Sequence, residues 1–174
     1  VLNKLASDPR NDVVIISGRD REFLQKQFEK IPVHLVAEHG LFIKKSGSDW
    51  ISTVKTDTHW KDEVKPILLD YVNRCNGTFI EEKEGSLAWH YRNADHDFAQ
   101  LRLNELKDDI KELTAHKTGL QMLEGDKVLE IKQDKYSKGL GARFIQKEKK
   151  YDFIFAAGDD RTDEDMFEAL PRSA

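Results

Sequence analysis

The residues with the clearest chemical potential lie close to the C-terminus, in the acidic run 158–167 (GDDRTDEDMF). This run follows the apolar segment 153–157 (FIFAA), which predicts a buried strand that ends at Gly158. Carboxylates crowded at a strand end repel one another unless a cation or a proton relieves the repulsion. Mg²⁺ binds one or two carboxylates and keeps positions for water and substrate oxygens. The run therefore predicts a metal-assisted phosphate site, with a merely acid-rich helix start as the alternative.

Other polar groups fall at the ends of predicted elements. Ser17 and Arg19 follow the apolar run 13–16 (VVII), and Lys138 stands at the start of a predicted helix. Ligands of open α/β sheets bind at the carboxyl ends of the strands, so we expect these groups near the acids. A hydroxyl, a fixed cation and a metal together suit the oxygens of a phosphoryl group. Taken singly, each group also fits an ordinary turn or a solvated helix start.

The elements that must position these groups predict an α/β core. Run 13–16 is typical of a strand covered on both faces, and a helix is expected from residue 20 to residue 30. Segments 35–37 and 41–43 predict two short strands about a turn. A helix, strand, helix order follows from residue 137 onward. This succession favours a doubly wound sheet with helices on its faces.

The middle of the chain has a different pattern, which predicts an inserted α+β module. Apolar residues at helical spacing indicate two amphipathic helices, and alternating segments indicate four antiparallel strands. The predicted helices span 59–74 and 96–114, and the predicted strands span 79–83, 87–92, 120–123 and 127–131. We therefore predict a core made of residues 1–56 and 135–174, interrupted by a module over residues 57–134.

Composition and net charge indicate which kinds of partner and which cellular location to expect. The 174 residues include 28 basic and 32 acidic side chains, and the net charge of −4 gives no reason to expect nucleic acid or a membrane as a partner. No apolar stretch approaches the roughly 18 residues that span a bilayer. Cys75 is the single cysteine, which fits a reducing compartment, and we expect a cytoplasmic protein.

Four segments together resemble the trehalose-6-phosphate phosphatases of the haloacid-dehalogenase superfamily, particularly the fungal enzymes. They are residues 17–19 (SGR), 37–40 (AEHG), 137–139 (SKG) and 158–167, and the resemblance runs from residue 13 to about residue 170. It implies a Rossmann-like core with an inserted, mobile α+β cap. It also implies Mg²⁺-dependent hydrolysis of trehalose 6-phosphate to trehalose and phosphate through an aspartyl-phosphate, as a step of trehalose biosynthesis.

The resemblance also implies a role for individual residues. Ser17 matches the phosphate-binding hydroxyl, and we expect Arg19 beside it to contact the substrate. Lys138 matches the lysine that neutralises the phosphoryl oxygens and the nucleophile. Asp159 matches the metal-binding acid and Asp163 the acid that supports it. The cap positions that match sugar-binding residues are Glu81, Lys83, Arg92 and Glu130.

Strand alternation agrees in part with the assignment of a sugar-binding face. Glu130 points to the face opposite Leu129 and Ile131 in a strand, so a polar face of the sheet is left free. Acids and bases on such a face can hydrogen-bond sugar hydroxyls. A solvated sheet face without a ligand is the alternative.

One departure from the family concerns its first motif, Asp-x-Asp-Gly-Thr, which carries the nucleophile and the general acid. None of the sixteen residues before Ser17 matches it. We therefore expect the sequence as given to lack its nucleophile, to be inactive alone, and to hold a core incomplete at both ends.

The alternative functions are a phosphatase of another sugar phosphate, or a non-catalytic regulatory or scaffold domain of a trehalose-synthesising complex. The expected partners are the small substrate and a trehalose-6-phosphate synthase domain or subunit.

Overall fold

The computed structural model describes residues 1–115 and 119–171, and the chain divides into two compact units. The first, here called the core unit, comprises Val1–Lys55 and Tyr136–Ala174, and the second, the inserted unit, comprises Thr56–Lys135. The predicted boundaries, after residues 56 and 134, adjoin these positions. That the inserted unit acts as a cap stays a prediction.

Helices and strands are mixed along the chain, with most strands in consecutive groups of two or three. They are α1 (Leu2–Ala6), β1 (Val14–Ile16), α2 (Arg21–Phe28), β2 (His34–Ala37), β3 (Phe42–Lys44), β4 (Trp50–Ser52), α3 (Trp60–Arg74), β5 (Phe79–Glu82), β6 (Ser86–His90), α4 (His96–Thr114), β7 (Leu120–Gly125), β8 (Val128–Gln133), α5 (Lys138–Gln146) and α6 (Arg161–Ala169). Within residues 1–115 and 119–171, no helix combines the length and the apolar character needed to cross a lipid bilayer.

The core unit contains a four-stranded mixed sheet in the order β1-β2-β3-β4. Strands β1 and β2 are parallel, with Ile15 opposite Leu35, whereas β2, β3 and β4 form an antiparallel meander. The strands predicted over 13–16, 35–37 and 41–43 are confirmed. Strand β4 was not predicted, because its three half-exposed or exposed residues carry no apolar run. The fold class, an α/β core with an α+β insertion, is also confirmed.

The strand predicted over 153–157 is wrong. Residues 151–160 form neither helix nor strand, and Phe153 and Phe155 are 76% and 79% exposed. An apolar pattern reports a preference for burial, but a strand also needs a hydrogen-bonded neighbour. Among the residues described, β1 pairs with β2 alone, and a groove of about 500 Å³ is lined by β1 on one side and by 153–157 on the other.

The inserted unit is an antiparallel sheet, ordered β5-β6-β8-β7, with α3 and α4 packed on one face. The helices predicted over 59–74 and 96–114 are confirmed, as are the four strands, with ends shifted by a few residues. The side chains that alternate toward the helices include Leu87, Trp89, Leu129 and Ile131, all fully buried. The opposite face carries polar residues, namely Glu81, Ser86, His90, Glu130 and Lys132.

Two glycines allow unusually close contacts beside the acidic run. A Cβ added to Gly139 in α5 would lie 2.3 Å from the carbonyl oxygen of Asp165 in α6. A Cβ added to Gly158 would lie 2.3 Å from Cγ of Asp163. Both distances are far below van der Waals contact, so the approach of α5 to α6 and the path of the acidic loop require glycine at these positions.

Gly139→Ala should therefore destabilise the protein, although alanine favours a helix by about 1 kcal/mol over glycine. The added methyl meets backbone rather than a flexible side chain, so we expect a net loss of about 1–3 kcal/mol in the free energy of unfolding. Chemical denaturation measures it. Arg143→Ala, an exposed change in the same helix, is the matched control and should stay within about 0.5 kcal/mol of the wild type. A stabilised Gly139→Ala variant would contradict the close helix contact.

Candidate active site

The start of α5 places a lysine in the interior of the core unit. Ser137 is the N-cap, and its hydroxyl accepts a hydrogen bond from the N–H of Leu140 at 3.3 Å. Lys138 follows as the first helical residue and is only 5% exposed. Its ammonium donates to Oδ1 of Asp163 at 2.7 Å. A buried lysine needs such a partner, because an unpaired ammonium in the interior is very costly.

The carboxylate of Asp163 organises the acidic loop. Its second oxygen, Oδ2, accepts hydrogen bonds from the N–H groups of Asp159 and Asp160 at 3.1 and 3.0 Å. Asp163 lies in the first turn of α6, so its bond to the N–H of Asp160 is the reach-back half of a capping box. With Lys138, the carboxylate accepts from three donors. It thereby joins the acidic loop and the first turn of α6 to the start of α5.

These hydrogen bonds keep Asp163 ionised. Burial acts to raise its pKa, but the hydrogen bonds from Lys138 and from the N–H of Asp160 outweigh burial, and the pKa is lowered below its ordinary value. The carboxylate is therefore charged near neutral pH.

Asp159, Asp160 and Asp163 form a cluster of acids. One oxygen from each lies within 4.8 Å of the others, and Asp159 and Asp160 are exposed. The oxygen donors suit a hard cation such as Mg²⁺, although exposed acids often cluster without an ion. Both oxygens of the buried Asp163 accept protein hydrogen bonds, whereas Asp159 is exposed, and Asp160 is exposed although its side chain accepts the N–H of Asp163, so Asp159 and Asp160 are the ligands that fit. Sequence reasoning missed Asp160, whose position directly before α6 was the available signal.

Ser17 and Arg19 lie just beyond the end of β1. The Ser17 hydroxyl accepts a hydrogen bond from the N–H of Arg19 at 3.2 Å, which holds this segment in a tight turn. The Arg19 guanidinium is exposed and lies over the ring of Phe23, 5.1 Å from its centroid. Both residues thus follow the carboxyl end of a strand, and their contact with phosphate or substrate stays a prediction.

The turn over 38–40 connects this segment to α5. The N–H groups of His39 and Glu38 donate to the carbonyl oxygens of Ser17 and Arg19 at 3.0 and 2.9 Å. Gly40 follows with φ +98°, and a Cβ there would lie 2.1 Å from the carbonyl oxygen of Ser137. The turn therefore packs on the N-terminus of α5. It brings the end of β1 next to the helix that carries the buried lysine.

The four residues predicted to bind sugar fall into three groups in the inserted unit. The ammonium of Lys83 pairs with Oε1 of Glu130 at 3.0 Å, and the same oxygen accepts from the Ser86 hydroxyl. Glu81 pairs with His90 at 2.7 Å. Arg92 lies at the far end of the sheet face, where it pairs with Asp126 of the β7–β8 turn at 2.7 Å. The structure therefore brings Lys83 and Glu130 together, whereas Glu81 and Arg92 each have other partners.

Sequence reasoning missed Ser86 and His90 as members of these groups. Both share a strand face with Ala88, and this face includes Glu130 on the neighbouring strand. Strand alternation could have indicated them, but the pairing between strands could not be read from the sequence.

Comparison with known proteins gives consistent results. The family model described as Trehalose-phosphatase matches residues 1–174. A bifunctional trehalose-6-phosphate synthase/phosphatase of Thermoproteus tenax is 44% identical over 174 residues, 100% of this chain and 24% of that protein. A trehalose-phosphatase of Schizosaccharomyces pombe is 40% identical over 179 residues, 99% of this chain and 22% of that protein. The C-terminal domain of the trehalose-6-phosphate phosphatase of C. albicans has a TM-score of 0.88 at 34% identity, covering 97% of this chain and 63% of that one.

The chain thus spans about a quarter of the two curated relatives, at 24% and 22%, and less than two thirds of the solved domain, at 63%. Each relative contains residues beyond those matched here.

The lowered pKa of Asp163 predicts a particular dependence of stability on pH. A carboxyl whose pKa is lower in the folded state stabilises the fold above its unfolded pKa, near 3.8, and this contribution is lost as pH falls through the folded pKa. We expect Asp163→Asn to flatten the acid limb of the unfolding free energy, which lies below about pH 5. Asp165→Asn, an exposed acid of the same helix, should keep the wild-type slope. An unchanged slope in Asp163→Asn would contradict the ion pair.

Proposed function

Because the chain belongs to the trehalose-phosphatase family, we propose that it is the major part of a phosphatase domain that hydrolyses trehalose 6-phosphate to trehalose and phosphate. The observation that carries this proposal is the buried contact of 2.7 Å between Lys138 and Asp163, beside the two exposed acids of the same loop. A fixed cation next to a candidate cation site suits the charge of a phosphate monoester.

Two side chains would bind the phosphoryl oxygens. An ammonium has three N–H donors, and Lys138 uses one on Asp163, so the others can reach an oxyanion. The Ser17 hydroxyl accepts from the N–H of Arg19, which leaves its own proton for a phosphoryl oxygen. The exposed guanidinium of Arg19 would add a charged contact with the substrate.

Asp159 and Asp160 would hold Mg²⁺, and Asp163 would keep their loop in place. The bound metal would neutralise charge on the phosphoryl group and align it for displacement. The hydrogen bonds indicate which of these acids has which role. Asp163 has three donors and supports the loop, whereas the side chain of Asp159 is exposed and can turn to a cation.

The nucleophile would come from outside residues 1–174. We propose that a strand carrying the family's Asp-x-Asp-Gly-Thr motif fills the apolar groove between β1 and 153–157. Such a strand would pair with the free edge of β1 and cover the exposed rings of Phe153 and Phe155. Asp163 also lines the groove, so the strand would run past the acidic loop. Its first aspartate would attack phosphorus and the bond to the sugar oxygen would break, with the general acid of the motif giving that oxygen a proton so that trehalose leaves. Water would then hydrolyse the aspartyl-phosphate to phosphate and the free aspartate.

The sugar would be recognised by Glu81, Lys83, Arg92 and Glu130 in the inserted unit, acting as a cap. Carboxylates and ammonium groups on one sheet face can accept from and donate to sugar hydroxyls. A synthase domain or subunit is the partner we propose, since a relative with 44% identity is described as a synthase/phosphatase. We also propose a cytoplasmic location, on the ground of the single cysteine.

The second candidate is a non-catalytic regulatory domain, favoured by the absence of the Asp-x-Asp-Gly-Thr motif from residues 1–174. The buried pair of Lys138 and Asp163 argues against it. A site without a catalytic role would gain little from a lysine and an aspartate held together in the interior, because apolar residues of similar volume are often as stabilising.

The test uses the chain extended at its N-terminus by the coding segment that precedes it. We expect phosphate release from trehalose 6-phosphate that requires Mg²⁺, and a loss of at least about 100-fold in kcat for Asp159→Ala and for Lys138→Ala. Asp159 is exposed, so its variant should fold normally. Asp165→Ala serves as the matched acidic control and should keep wild-type turnover.

Full turnover in Asp159→Ala and Lys138→Ala would overturn the site assignment. No turnover by the extended wild type would favour the regulatory domain. Faster turnover of another sugar phosphate would change the substrate and leave the site in place.

A further inference from the structure

Three side chains form a contiguous group on the polar face of the inserted sheet. The ring nitrogen Nε2 of His90 lies 2.7 Å from Oε2 of Glu81. The His90 ring also stacks on Phe79, with centroids 4.7 Å apart and planes inclined by 9°. Phe79 is directly opposite His90 in the pairing of β5 and β6, and Glu81 is two residues further along β5. Each of the three therefore points to the same face.

The imidazole is fixed by these two contacts, and it fixes the carboxylate in turn. The Phe79 ring restricts the plane of the imidazole, and the hydrogen bond to Nε2 restricts the carboxylate of Glu81. The other oxygen, Oε1, has no protein donor within the part of the chain that the structure describes. The side chains of Glu81 and His90 are 31% and 24% exposed, so a ligand can reach that oxygen.

We propose that His90 is a positioning residue for sugar recognition: it holds Glu81 so that Oε1 is aligned to accept hydrogen bonds from the hydroxyls of the sugar phosphate. This inference rests on the proposed function. A free glutamate loses side-chain freedom when it binds a ligand, whereas a glutamate already held by its neighbour loses less. The pair should therefore improve substrate binding and leave the chemical step unchanged.

The neighbouring acid of the same strand offers a comparison. Glu82 points to the other face of β5, where its Oε2 pairs with Lys65 of α3 at 2.6 Å. This contact joins the sheet to a helix and lies away from the polar face. Lys65 and His90 thus each hold one glutamate of the same strand, but on opposite faces of the sheet.

The experiment measures kcat and KM of the extended chain with trehalose 6-phosphate and Mg²⁺. We expect His90→Ala to raise KM about fivefold or more, with kcat within about twofold of the wild type. His90→Gln should recover part of the loss, because its amide can still donate to Glu81. In a Glu81→Gln background, His90→Ala should cause no further rise in KM. Lys65→Ala, the matched control, should keep the wild-type KM.

The outcomes separate the two proposals. No turnover by the wild type overturns the proposed function and this inference with it. Turnover with an unchanged KM in His90→Ala overturns the inference alone. So does an equal rise in KM for His90→Ala with and without Glu81→Gln, because His90 would then act through another group. Partial unfolding of a variant lowers the apparent kcat rather than raising KM, so it does not imitate the expected result.

Discussion

The buried ion pair between Lys138 and Asp163 is the interaction on which the candidate active site depends. It joins the first turn of α5 to the first turn of α6, and the same carboxylate receives the N–H groups of Asp159 and Asp160. Each charge is tolerable in the interior only because the other is present. The path of the acidic loop, the lowered pKa of Asp163 and the placement of the lysine therefore all depend on the hydrogen bonds of one carboxylate.

This contact also explains why neighbouring acids differ in burial and in their hydrogen bonds. Asp163 is buried and accepts from three donors, whereas Asp159 and Asp160 remain exposed beside it. A buried acid saturated by protein donors can hold a loop, and an exposed acid with an oxygen left over can accept a cation. Gly158 makes the arrangement possible, because any side chain there would collide with Asp163. Aspartates of the same run thus differ in role: Asp163 holds the loop, whereas Asp159 and Asp160 can bind a cation.

Local patterns predicted most of the fold, whereas pairing between distant segments could not be read from them. Helical spacing predicted α3 and α4, and alternation predicted the strands of the inserted unit. The segment 153–157 has an apolar pattern but pairs with no strand among residues 1–115 and 119–171, so the prediction failed there. The contact between His90 and Glu81 depends on the register of β5 and β6, which a single sequence does not specify. The motif residues were predicted from a family resemblance, whereas their hydrogen bonds could be identified only in the structure.

A double-mutant cycle on the free energy of unfolding tests the central interaction most directly. The variants are Lys138→Met, Asp163→Asn and their combination, since asparagine keeps an acceptor oxygen for the N–H groups of the loop. The ion pair predicts a loss of about 3–5 kcal/mol for Lys138→Met, which leaves a buried charge unpaired. It further predicts that the double variant loses less unfolding free energy than the two single variants lose together, by at least about 1 kcal/mol. Single losses that add within about 0.5 kcal/mol would show that the two side chains do not interact, and would contradict the account.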